Sequence, residues 1–234
     1  LARLDHIEAH AATSAQRLQL VDLRVVLHAS MGNTRAALQA GRHGLAAAGI
    51  ELPEDDDACR LAVADELARI DVLLTRTPLA TLVDAPPLRD PAMRGVLKLL
   101  ADMLAPANLT RPDLYALLNT TQARLSIEHG HTDISAYTYV VYGFFLATVL
   151  RQYPQADLFG RFAIELNDRL DNPALRCRLR FVYATYSHFI RPLRRVLAEF
   201  QAALDDGREA GDHIYSASAS SHSAALVCSA SMRW

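Results

Sequence analysis

Lysine is almost missing from these 234 residues: Lys98 is the only one, and every other basic side chain is an arginine. The 24 basic and 26 acidic residues leave a formal net charge of -2. No global positive field therefore concentrates nucleic acid or anionic lipid around the chain, and nucleic-acid binding is not expected. Cysteine is scarce as well. Cys59, Cys177 and Cys228 lie far apart with no Cys-x-x-Cys pair, which is neither a disulfide framework nor a zinc motif and reads as buried thiols in a reducing compartment. Long apolar runs are lacking: the longest stretch free of both charged residues and histidine, Ile134 to Leu150, is 17 residues and carries Ser135, Tyr137, Thr138, Tyr139, Tyr142 and Thr148. A membrane span needs about 20 predominantly apolar residues, so this stretch reads as a helix buried on most sides. The opening Leu1-Ala2-Arg3-Leu4-Asp5-His6 places acid and histidine where an export signal needs basic and then apolar residues. A cytoplasmic location is the expectation. Strand signals are nearly absent too, with no convincing period-two alternation bounded by Asn-Gly or Asp-Gly turns.

What is present is helical spacing. Hydrophobic residues make up 51% and charged ones 21%, enough apolar surface to offset chain entropy. Apolar residues recur three or four apart in Leu114, Leu117, Leu118, Ala123 and Leu125, in Leu158, Phe162, Ile164, Leu166 and Leu170, and in Leu175, Leu179, Val182, Tyr186 and Phe189. The spacing predicts helices over 3–30, 34–48, 57–75, 91–104, 111–129, 133–150, 156–170, 173–190, 192–210 and 213–230. Stop signals fall at Gly49, Gly130, Asp171-Asn172 and Gly211, spaced 81, 41 and 40 residues. Asp90-Pro91 lies at the midpoint of the longest gap. It shares a chemistry with Asn172-Pro173: a side-chain oxygen accepts orphan N–H groups, and proline sits at N1 where its missing donor costs nothing. A period near 40 holds one helix hairpin, which cannot bury both of its faces alone. The expectation is an all-α, α-α superhelix of stacked hairpins over 1–234 as a single domain, with an irregular connector near 76–91. Glu54-Asp55-Asp56-Asp57 suits the positive end of a following helix.

Catalytic templates fail on particular residues. Lys98 follows Leu97 with no glycine loop to cradle phosphates, and neither His-Arg-Asp nor Asp-Phe-Gly occurs. His6-Ile7-Glu8-Ala9-His10 spaces two imidazoles one turn apart but lacks the His-Glu-x-x-His order, and reads as a solvated face. His129-Gly130-His131 sits at a helix stop, where histidine near the last carbonyls needs no metal. Tyr186-Ser187-His188-Phe189-Ile190-Arg191-Pro192-Leu193 departs from a histidine-kinase phosphoacceptor box, because no acid follows His188 and one residue is missing before Pro192. No catalytic residue, cofactor or metal is therefore expected. One stripe is a candidate partner contact: Arg176, Arg180, Tyr183 and Ser187 recur at helical spacing opposite the apolar face, and arginine and tyrosine are favoured contact types.

Two resemblances complete the reading. The unit from Arg24 to Leu45 turns at Gly32-Asn33 and carries Ala37, Gly41 and Gly44 at offsets that let a second helix approach closely, with a weaker echo at Gly160-Arg161-Phe162-Ala163. It resembles a tetratricopeptide repeat, though Val21 stands where a large aromatic is usual. Three longer stretches are Ala36 to Leu45 continuing to Gly49-Ile50-Glu51-Leu52-Pro53, Leu125 to Gly130 with Ala136-Tyr137 and Tyr142-Gly143, and Asn172 to Arg178 running to Arg191-Pro192-Leu193. These resemble the helical region after the predicted ATPase domain of large bacterial signalling proteins that join a serine/threonine kinase, that ATPase, a GAF domain and a histidine kinase. The arginine-dominated basic set and abundant alanine agree with a GC-rich bacterial genome. The resemblance implies a regulatory scaffold cut from a larger protein, with protein partners and with catalysis in neighbouring domains. The alternative it leaves is the effector-sensing arm of an ATP-dependent transcriptional regulator.

Overall fold

The computed structural model describes residues 11 and 13–231, and His6, His10 and Trp234 lie outside them. Among the described residues the architecture is all-α, with eleven helices and a single isolated bridge between Pro87 and His131. The helices are α1 (Ser14–Ser30), α2 (Thr34–Ala47), α3 (Asp56–Arg76), the one-turn α4 (Leu79–Leu82), α5 (Pro91–Thr110), α6 (Pro112–His129), α7 (Ser135–Thr148), α8 (Tyr153–Arg169), α9 (Pro173–Ser187), α10 (Leu193–Ala210) and α11 (His213–Ser231).

Their ends follow from local chemistry. Thr13 and Gln16 form a capping box at α1, each satisfying the other's backbone N–H. Asp55 accepts from Ala58 N–H at 2.8 Å, and Asp56 and Asp57 follow in the first turn of α3, so the acidic run meets the helix dipole as expected. Asp90 caps α5 through Ala92 N–H at 2.9 Å with Pro91 behind it. Asn172 corrects the parallel drawn for it. Its side chain makes no cap bond to α9 and instead donates to the carbonyl of Asp133 at 3.1 Å, tying the start of α9 to the loop before α7. At Gly49, Gly130, Asp171 and Gly211 the chain takes positive φ, and each helix stop falls there. Helix α5 runs past 104, through Pro106 to Thr110. Leu99, Leu100, Met103, Leu104, Pro106 and Ala107 all stay buried along it, and that burial outweighs the roughly 3 kcal/mol that an interior proline costs.

The chain divides into two compact units, one holding the described parts of Leu1–Pro78 and Ala85–Thr132, the other those of Leu79–Asp84 and Asp133–Trp234. In the first unit α1 and α2 form a hairpin, α5 packs on both of them and pairs with α6, and α3 lies against α6. In the second, α7 and α8 form a hairpin, α9 packs on both and pairs with α10, and α11 packs on α9 and α10. First helices begin at Ser135, Pro173 and His213 in the second unit, and at Ser14 and Pro91 in the first, where α3 intervenes.

Close approach at small residues sets the stacking. A Cβ on Gly44 would lie 2.5 Å from Val21 Cγ1 on α1, and one on Gly41 would collide with Met103 on α5. The echo at Gly160 has the same role, since a Cβ there would collide with Tyr183 and Tyr186 on α9. Gly41 and Gly160 each sit on the second helix of a hairpin and face the first helix of the next. Beyond these contacts the cores differ. The first unit packs mainly aliphatic residues such as Val25, Leu45, Leu97, Leu99, Leu100 and Met103, whereas Tyr139, Phe145, Phe159 and Phe162 fill the second. Tyr139 stands edge-on to Phe162 at 5.0 Å, a geometry that adds about 0.5–1.5 kcal/mol beyond burial.

Candidate functional site

Helix α9 carries the predicted stripe, and the structure splits it. Arg176 and Arg180 are partly exposed, while Tyr183 is 2% and Ser187 0% exposed. Those two do not form a surface with the arginines. The cause is that α9 touches α7, α8, α10 and α11, so little of its circumference is left for solvent. Arg180 is itself engaged, holding Glu199 at 3.0 Å and Asp206 at 2.8 Å on α10. Arg176 reaches Asp171 at 3.8 Å only, which leaves it the more available of the pair.

What Tyr183 does is structural and specific. Its hydroxyl donates to Asp157 Oδ1 on α8 at 2.7 Å, and Arg191, from the turn after α9, closes on both oxygens of that carboxylate at 2.8 and 2.9 Å. Arg161 adds an ion pair at 3.1 Å. Burial alone would raise the Asp157 pKa, but the hydrogen bonds from Arg191 and Tyr183 and the charges of Arg191 and Arg161 outweigh it and hold the carboxyl below its ordinary value. Tyr183 moves the other way, because burial and then its bond to Asp157 both favour the neutral phenol. A phenol held neutral and a carboxylate with both oxygens occupied make a clamp between α8 and α9, not an acid–base pair awaiting substrate. Arg191 lies in the turn that connects α9 to α10. The missing signal was its partner, 34 residues earlier in the chain.

Other ionisable groups inside the units are tied in the same way. Glu66 on α3 meets Arg124 on α6 at 2.5 Å, and Arg124 also holds Glu128 at 2.7 Å. Lys98 on α5 lies 2.7 Å from Asp22 on α1 and 2.5 Å from Asp102. Burial, a hydrogen bond with Asp102 and that residue's charge push the Asp22 carboxyl up to about 6 against the opposing pull of Lys98. Arg178 pairs with Asp212 at 2.9 Å and lies over the Tyr215 ring at 5.1 Å, joining α9 to the start of α11. Among the described residues no group of three or more His, Cys, Asp or Glu is placed to hold a metal ion, and no helix is long and apolar enough to cross a membrane. The carbonyl of His131 accepts from Leu88 N–H at 2.8 Å, a backbone role that periodicity does not announce.

One exposed apolar row went unnoticed in the sequence. Leu23, Val26, Leu27 and Met31 recur at helical spacing from α1 into its C-terminal cap, turned away from the buried Leu18, Val21 and Val25. Apolar residues on two faces blur the amphipathic signal that would have separated contact from core. No protein-family model, no curated protein and no solved structure matches the chain.

Proposed function

We propose that this chain is a non-catalytic protein-interaction scaffold, a part of a bacterial multidomain signalling kinase or ATPase that works in the cytoplasm by contact with a neighbouring domain or a partner segment. The observation that carries the reading is the stacking rule common to both units, in which the first helix of a hairpin packs on both helices of the hairpin before it. Such stacks extend a surface by adding hairpins and serve chiefly as platforms. The ion pairs agree with this use, since Asp157, Glu66 and Asp22 hold helices to one another. The kinase and ATPase setting is supported by the sequence resemblance alone. Contact is assigned to the apolar row of Leu23, Val26, Leu27 and Met31 on α1 and its cap, with Arg176 as a second place to probe.

The test is association between the full chain and each domain encoded beside it in its parent reading frame, followed by titration calorimetry. Saturable binding is expected, weakened about tenfold or more in a Leu23→Ser, Leu27→Ser double variant, because two apolar side chains leave the interface. If none of the flanking domains binds, or if the isolated chain turns over a substrate, the scaffold reading fails.

A further inference from the structure

A cavity of about 520 Å³ opens in the first unit between α2 and the junction of α5 with α6. Three arginines line it from separate places in the sequence: Arg35 and Arg42 on α2, and Arg111 at the turn between α5 and α6. Positions 35 and 42 are two helical turns apart and so share a face. Two of the guanidinium groups are fixed by loop carbonyls. Arg42 Nη2 donates to the carbonyl of Leu52 at 2.5 Å, and Arg111 Nη2 donates to the carbonyl of Glu54 at 2.7 Å. Arg111 also holds Asp56 Oδ1 through Nε at 3.0 Å and Nη2 at 2.6 Å. Arg35 is exposed and has no ion pair or hydrogen bond to any described residue. Glu54 also lines the cavity, and the rest of its acidic run is engaged, Asp55 by Ala58 N–H, Asp56 by Arg111 and Asp57 by Arg60. Among the lining side chains three guanidinium groups stand with one carboxylate; two of the three are held in place and the third is free to close.

The rest of the lining narrows the chemistry. Leu38 and Leu114 are buried side chains that present an apolar floor, and Gln39 and Thr110 add hydrogen-bonding groups. The volume falls within the range of small-molecule sites, and inorganic phosphate would fill only part of it. We propose that this cavity binds a small organic molecule bearing a doubly charged oxyanion, a phosphate monoester or a dicarboxylate, with its charged end on Arg35, Arg42 and Arg111 and its apolar part on Leu38 and Leu114. Planar guanidinium groups match either oxyanion with paired N–H donors, which a flexible ammonium does not. The inference stands apart from the scaffold reading, for a platform with or without partners can hold such a ligand.

Titration calorimetry on the full chain tests it with phenyl phosphate, inorganic phosphate, phthalate and phenol. Phenyl phosphate is expected to bind saturably and to weaken as salt is added, inorganic phosphate to bind less tightly because it leaves the leucine floor empty, and phenol not to bind. Binding of phthalate would extend the site to carboxylates, while its failure would restrict the site to phosphates. Arg35→Gln and Arg35→Glu remove no contact that holds the fold, so helical circular dichroism and melting should stay unchanged while phenyl phosphate affinity drops about tenfold or more. Arg195→Gln, an exposed arginine on α10, is the control and should leave affinity intact. Absence of saturable binding by every oxyanion, or equal affinity in the wild type and in Arg35→Glu, would overturn the assignment.

Discussion

At the scale of single residues, the differences in energy lie in what surrounds a charge. Asp157 is 9% exposed and accepts three donors from Tyr183 and Arg191, whereas the Arg208–Asp205 pair on α10 lies largely in water. Replacing Asp157 by alanine leaves a guanidinium and a phenol without their acceptor, and a loss of about 3 kcal/mol is expected in urea unfolding. Tyr183→Phe keeps the ring volume and removes one hydrogen bond, so about 1 kcal/mol should be lost. Arg208→Ala should cost less than about 0.5 kcal/mol. A cost for Asp157→Ala no larger than that for Arg208→Ala would refute the clamp. Asp22 makes a prediction in pH. Its folded carboxyl takes up a proton near pH 6, while the unfolded chain waits until about 3.8, so protonation favours the fold. The contribution is complete below 3.8 and is lost as the pH rises through about 6. Asp157 acts in a different window, since its depressed pKa gives stability that is present above 3.8 and lost only as the pH falls below that value. Thermal melts taken between about pH 7 and about pH 4 should therefore change slope in Asp22→Asn relative to the wild type. Identical pH profiles would remove Asp22 from that window.

At the scale of the helix, glycine decides how hairpins meet. Alanine is favoured over glycine by about 1 kcal/mol in a helix, but overpacking a filled contact costs about 1–3 kcal/mol. At Gly160 the added methyl would run into the rings of Tyr183 and Tyr186, so Gly160→Ala should destabilise. At Gly95 the nearest atom is Leu18 Cβ at 3.1 Å, which moves only with the α1 backbone, so Gly95→Ala should lose the helical gain to that contact yet cost less than Gly160→Ala. Denaturant midpoints in which Gly95→Ala costs as much as Gly160→Ala would contradict this packing account. Gly41, Gly44 and Gly160, the positive-φ stops and the helix starts at Pro91 and Pro173 were legible, because each is a local property of the chain. Helix α9 was not. Leu175, Leu179, Val182, Tyr186 and Phe189 form one face by periodicity, yet Phe189 is 49% exposed and Tyr183 and Ser187 are inside. Periodicity assumes one core-facing side, and α9 has neighbours on several. For the same reason the partner of Arg191 and the arginines lining the cavity could not be read in advance: Arg111 and Arg42 come to line one cavity only once α5 packs on α2.

Across the whole molecule, a stack in which each helix leans on its neighbours predicts graded rather than uniform stability. In the second unit α7 is buried at nearly every position, including Tyr139, Val140, Phe145 and Leu146, and it has both α8 and α9 against it. Among the described helices α11 rests chiefly on α9 and α10, with Ala219 fully buried but Ile214 77% and Val227 47% exposed. Opening α11 uncovers only the parts of α9 and α10 beneath it, while opening α7 means dismantling the aromatic core around Tyr139. In the first unit α3 has the same peripheral standing, resting on α6, whereas α5 is held by α1, α2 and α6 together. Native-state hydrogen exchange should accordingly show amides of α11 and α3 exchanging first in their respective units, with α7 and α5 last. Arg124→Ala should speed α3 selectively, because it severs the Glu66 contact without touching the α1–α2–α5 packing. A single protection level shared by all helices of a unit would show that the unit opens as one cooperative body, and nearest-neighbour stacking would then not govern its stability.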